Sequence, residues 1–264
     1  MARRNALLLA IALLIVACSP GSIDIGSLGL DEPTIDPLDA RVLIAPTDGS
    51  PGVDQGAITS TMDAVLDRAA HAPGSRVRAW AMVESGPPVL LLDVTTPALP
   101  AQPRRRERRV DAYVIEERER LLDALAPYLA NPGSRRPIAE SIARIAAEDA
   151  VGDAEVHVVA ITDLRESVLG NYARRATTPT VRQTLSRAAA RRLFEPGSLT
   201  GIAVHVAGFR LLPGRRRPLD CSLAQQARLE ERFHALFERA GASSIEFATG
   251  APRFDLEDAS EEEE

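Results

Sequence analysis

Two histidines stand inside apolar runs, His157 in VHVVAIT and His205 in AVHVAG. Imidazole titrates near neutrality and ligates metals through a neutral ring nitrogen. A histidine pair on adjacent strands is therefore a candidate metal site or pH sensor. The plainer reading is two partly buried rings bonded to local partners. Position favours it, because His157 lies near the start of its run, away from the carboxyl ends where open sheets bind ligands. His71 and His234 read as helix-surface residues. Cys221 follows Arg215–Arg217, cations that lower a thiol pKa, yet no histidine is near it in sequence to act as a base. The chain has no Gly-rich phosphate loop, no Gly-x-Ser-x-Gly elbow and no His-Glu-x-x-His. Ser85 and Ser198 have no patterned base. These residues do not describe an enzyme.

The elements that carry the histidines alternate in type. Arg41–Ala45 is a short apolar run, read as a buried strand. Ile58, Met62, Val65, Leu66 and Ala69 give Val53–Ala70 a helical stripe. Arg76–Val83 and Val89–Val94 flank Ser85-Gly-Pro-Pro88 as a hairpin. Residues 97–109, PALPAQPRRRERR, read as an irregular basic loop. Helices are expected over Val110–Leu129, Ile138–Ala147, Val181–Phe194 and Leu223–Ala240. Strands are expected over Val156–Ile161, Thr200–Ala207 and Ile245–Ala248. Strands alternating with helices predict an α/β fold: a doubly wound, mostly parallel central sheet with helices on both faces and an antiparallel edge strand from the hairpin. Glu116–Arg120 reads as a solvated helix face.

Composition bounds the partners. The 264 residues carry a net charge of -6, and all 31 basic side chains are arginine. The last ten residues, DLEDASEEEE, hold seven acids. A nearly neutral body with an acidic tail gives no reason to expect nucleic-acid binding. Arg3 and Arg4 precede an apolar stretch, Ala6–Ala17, that is short for a membrane span and has the form of an export signal. It ends in Ile15-Val-Ala-Cys18, which resembles the bacterial lipobox. That resemblance implies removal of residues 1–17 and acylation of Cys18, for instance with palmitate. The protein would then be lipid-anchored at the bacterial cell membrane or outer membrane, facing the periplasm or exterior. Residues 18–39, rich in Gly, Pro, Ser and Asp, read as a flexible tether. The folded body is expected over 40–252 and a disordered acidic tail over 253–264.

The order of elements, with a hairpin after the first helix, resembles a von Willebrand factor A domain. Val42–Asp48 stands where that family has its first strand and Asp-x-Ser-x-Ser turn. Arg136-Pro-Ile-Ala-Glu-Ser141 resembles the Ser-Pro-Ile-x-Glu helix start of some bacterial members. Val158–Asp163 resembles the fourth strand with its terminal Asp, and LEERFHALFERAG (229–241) resembles their late helix. The resemblance implies a metal-ion-dependent adhesion site of oxygen ligands suited to Mg²⁺. Here the pattern departs. Ala45 stands at the leading Asp, Gly49 at the second hydroxyl and Arg136 at the middle loop. Thr47 and Asp163 survive, with Asp48 and Ser50 as shifted substitutes and Ser134 nearby. The reading is a degenerate site with no metal and no cofactor, in which Arg136 pairs with Asp163. The expected binding face is Thr47, Asp48, Ser50, Ser134, Arg136, Asp163 and Arg165. The function this implies is a protein-binding or scaffolding module of the cell envelope, with an unidentified protein partner. The alternative is an envelope hydrolase with a nonstandard active site.

Overall fold

A computed structural model describes residues 35–45, 55–100, 102–130, 137–164, 169, 179–208 and 223–254. In chain order the elements are β1 (Leu38–Ile44), α1 (Gln55–Ala70), β2 (Arg76–Ala81), β3 (Val89–Thr95), α2 (Pro103–Ala130), α3 (Ile138–Ala146), β4 (Glu155–Ile161), α4 (Val181–Ala190), β5 (Ile202–Ala207), α5 (Leu223–Ala240) and β6 (Ser244–Phe247). One sheet holds all six of these strands in the order β3-β2-β1-β4-β5-β6. Every neighbouring pair is parallel except β2–β3, the hairpin. This is the doubly wound sheet with an antiparallel edge strand that the sequence predicts.

Strand alternation sends successive side chains to opposite faces. Leu43, Trp80, Val158, Val204 and Val206 form one core with Ile142 and Ile145 of α3 and Phe233 and Phe237 of α5. Val42, Ile44, Val77, Ala79, Val159 and Ile161 form the other, with Ile58, Met62 and Leu66 of α1 and Leu121 and Leu125 of α2. Every β1 residue is buried, as a central strand covered on both sides requires.

The elements differ from the sequence expectation in four places. β1 starts at Leu38, inside the stretch read as tether, because Leu38 and Asp39 are fully buried. α2 starts at Pro103, so the Arg-rich run read as a loop is helical. Pro at a first helical position is pre-organised for it, and arginine is a good helix former. α4 stops at Ala190, and Arg192 and Phe194 turn the chain with positive φ before β5. Glu117 is buried among Val110, Tyr113, Leu121 and Leu125, so the charge run on α2 is not wholly solvated. Burial pushes the Glu117 carboxyl above its ordinary pKa, while Arg120, 2.9 Å away, opposes the rise.

Candidate functional site

Strand order reverses between β1 and β4, so the topological switch point lies at the carboxyl ends of these two strands, where open α/β sheets bind ligands. Ala45 closes β1 there. Its N–H donates to Ile161 O at 3.1 Å and its methyl is fully buried. A methyl group supplies no ligand at the position where the family's leading carboxylate would stand. β4 ends in Thr162-Asp163-Leu164. Thr162 N–H donates to Ala207 O, and Thr162 Oγ1 accepts from the Leu164 N–H at 3.1 Å. Leu164 is held at φ 56°, a left-handed conformation that costs a non-glycine residue about 1 kcal/mol or more and clusters at functional turns. Asp163 is only 1% exposed and has polar or electrostatic partners of its own. Of the seven residues read as the binding face, the structure places Asp163 at this edge. Thr47, Asp48, Ser50, Ser134, Arg136 and Arg165 lie outside the described residues, as does Cys18, and so does the Arg136–Asp163 pair.

The two histidines meet. His157 on β4 and His205 on β5 are 8% and 6% exposed, and their rings lie nearly parallel with centroids 5.1 Å apart. His157 Nδ1 is 2.9 Å from His205 Nε2, and His205 Nδ1 is 2.8 Å from Glu246 Oε2 on β6. Phe254 covers both rings, with centroids 5.6 Å from His157 and 5.3 Å from His205. Chemistry fixes the proton positions. An ionised carboxylate only accepts, so His205 Nδ1–H donates to Glu246. His205 Nε2 then accepts from His157 Nδ1–H. A neutral His157 is left with a bare Nε2. That atom is buried, 2.9 Å from Glu155 Oε1, and makes no well-aligned hydrogen bond. Burial is the main cause of a lowered His157 pKa. His205 and Arg68 add to the fall, while Glu155 opposes it. One added proton would turn the Glu155 contact into a charged hydrogen bond. A second would set two N–H groups against each other. The array suits a proton-sensitive contact. Among the described residues no group of three or more His, Cys, Asp or Glu is disposed to hold a metal ion.

On the opposite face lies a polar cluster that the sequence reading missed. Asp39, Arg41 and Arg78 are 0%, 1% and 4% exposed. Arg41 donates to Asp39 Oδ2 through Nε and Nη2 (3.1 and 2.8 Å), and through Nη1 to the Ile145 and Ala146 carbonyls (3.2 and 2.7 Å). Arg78 Nη2 donates to both Asp39 oxygens at 3.0 Å and to Asp149 O at 3.2 Å. The guanidinium of Arg41 thus closes the carbonyl end of α3. The signal was present in LDARVLI, where an acid and an arginine two apart in a buried strand must share a face.

No protein-family model matches the chain, and no curated protein matches it. Among solved structures, the chain is similar to an aerotolerance-related membrane protein from Bacteroides fragilis NCTC 9343 carrying multiple mutations to serines. The identity is 13% and the TM-score 0.39, over 81% of this chain and 91% of that one. A likeness so remote adds nothing to what the strand order already gives. Among the described residues no helix is long and apolar enough to cross a membrane.

Proposed function

We propose that this is a lipid-anchored protein of the bacterial envelope, held by Cys18, whose α/β domain binds another protein through the carboxyl edge of its sheet. The observation that carries the reading is the end of β4. Asp163 is buried beside the switch point, and the strained Leu164 turn launches the following loop there. The other two loops read as binding, 46–51 and 131–137, follow β1 and α2, which both end at this edge. With Ala45 in place of the leading carboxylate, recognition rests on protein contacts rather than on a shared metal ion. Arg135, Arg136 and Arg165 supply the side chain most enriched in interface cores.

Two measurements test it. Capture from detergent-solubilised envelope with wild-type protein, compared with an Arg136→Glu/Arg165→Glu variant, should lose its specific partner in the variant. Retention of the same partners by a folded variant would move binding off this edge. Labelling with a fatty-acid probe should mark the wild type and leave Cys18→Ala unmarked. Equal labelling of both would remove the anchor.

A further inference from the structure

The first two turns of α2 carry five arginines and one acid, Arg104-Arg-Arg-Glu-Arg-Arg109. Arg104, Arg105, Arg108 and Arg109 are exposed, and among the described residues none of the four forms an ion pair. Arg106 differs, since its Nε donates to Pro100 O. This placement works against the helix. Cations at an amino terminus oppose the macrodipole, and Arg104 with Arg108 and Arg105 with Arg109 are like charges four residues apart. Among the described residues no acidic side chain pairs with these four arginines, which leaves them open to an anion from outside.

The fold says where these arginines are. β3 runs antiparallel and brings Thr95 beside Arg76 and Asp39, at the amino edge of the sheet. α2 starts seven residues past Thr96, at that same edge. Arg118 of α2 meets Asp63 of α1 at 2.9 Å, which fixes the overlap of the two antiparallel helices. Counting outward from that pair at about 1.5 Å per residue, α2 overruns the end of α1 by roughly 12 Å. The overrun is the arginine segment. The chain also enters the domain at this edge: Pro37 O accepts from Glu155 N–H, and Asp36 O accepts from Arg68. Sixteen residues separate Cys18 from Ile35. Fully extended they span at most about 60 Å. An anchor at the amino end would therefore hold the point where the chain enters the domain, on the same edge as the arginines, within that span of the lipid surface.

We propose that the amino-terminal two turns of α2 dock onto anionic lipid headgroups, with Arg104, Arg105, Arg108 and Arg109 as contacts. Each basic side chain held near an anionic leaflet is favoured, and the gain fades within a Debye length. Under β1 and β4 the exposed charged groups are acidic, Asp36, Glu148, Asp149, Asp153 and Glu155, while Arg76 of β2 is paired with Asp93. The domain therefore leans on its α2 corner rather than lying flat. The inference rests on the amino-terminal anchoring proposed above.

The test is amide hydrogen exchange over Arg105–Val110 in the full chain, reconstituted into vesicles of phosphatidylcholine alone or with about a third phosphatidylglycerol. The measurement needs only an amino-end anchor, whether an acyl group on Cys18 or the uncut apolar segment, and the fatty-acid label reads that separately. At low salt, exchange should be about tenfold slower on the anionic vesicles. At 0.5 M salt, where the screening length shrinks to a few ångströms, the difference should fall below about twofold. Arg104→Glu/Arg105→Glu/Arg108→Glu/Arg109→Glu should abolish the slowing while its Tm stays level or rises, since acids suit a helix amino terminus. The four-Gln variant gives the same reading without charge reversal. Equal exchange on both vesicles, or slowing that survives either variant, overturns the proposal. Slowing on neutral vesicles that disappears when Glu261–Glu264 are changed to Gln would also overturn it, by assigning the acidic tail as occupant.

Discussion

The two faces of the sheet bury polar groups at nearly the same height and treat them in opposite ways. On the α3 face, the hydrogen bonds of Asp39, Arg41 and Arg78 run to each other and to the closing carbonyls of a helix. A guanidinium is a donor only and does not switch roles near neutral pH, so the arginine donors of this cluster keep one arrangement. On the α1 face, His157 and His205 share a hydrogen bond whose count of protons is one short of the contacts available, and a phenylalanine keeps water away. That cluster holds a titratable ring whose pKa burial lowers. The difference is chemical rather than topological. A buried group with a fixed charge fixes a packing, and a buried group that titrates makes the same packing conditional.

The largest effect expected from this contrast is at Arg41. Arg41→Ala removes one of the two cationic partners of a buried carboxylate and leaves two helix-end carbonyls bare, so unfolding free energy should drop by about 3 kcal/mol. Urea titration measures it. A loss under about 1 kcal/mol would mean that the cluster is solvated and the contrast between the faces is false. Next is Phe254→Ala. Phe254 is only partly buried. The loss should be about 1–2 kcal/mol, below the 3–5 typical of a fully buried phenylalanine. The same substitution lets water reach the rings, so the His157 pKa should move back up, which NMR titration of the imidazole reads.

The pH dependence is smaller and separates the two faces directly. The His157 pKa is held below its ordinary 6.5, chiefly by burial. Below that value the unfolded chain binds a proton that the folded chain resists. Stability is therefore full above about pH 6.5 and is lost as pH falls toward the folded value. Tm measured from pH 7.5 to 5 should fall more steeply in wild type than in His157→Phe. Matching slopes would show that the carboxylates of the rest of the chain, and not the histidine pair, set acid sensitivity.

Much of this was readable beforehand and some was not. Sheet composition and the antiparallel edge follow from the runs RVLIA, VHVVAI and IAVHVA, which are too short and too apolar to be anything but strands in an alternating chain. The histidine pair was legible as a pair because both lie in such runs. Its cover was not, since Glu246 and Phe254 are 41 and 49 residues beyond His205 and no local pattern ties them to it. The start of α2 was missed for a related reason. Hydrophobic periodicity begins only at Val110, so a helix of exposed arginines ahead of it leaves no stripe to detect.

The smallest effect expected is none, at the carboxyl edge. Both buried clusters are closed by the chain's own groups, and the contrast between them would gain a third kind of member if this edge were closed by a metal ion. A ligand that binds only the folded state must raise its stability as RT ln(1 + [L]/Kd), so a site filled at millimolar Mg²⁺ would show in the melting temperature. The ion would need oxygen ligands in near-octahedral array. Asp163 stands at the right strand end, but Ala45 removes the carboxylate that would face it across the switch point. Addition of Mg²⁺ or Mn²⁺ to several millimolar should therefore leave Tm unchanged. A saturable rise that EDTA reverses would mean that Thr47, Asp48, Ser50 and Asp163 together replace the missing ligand. Asp163→Asn should then abolish the rise, and the edge would have to be read as an adhesion site with a rebuilt first loop rather than as a metal-free one.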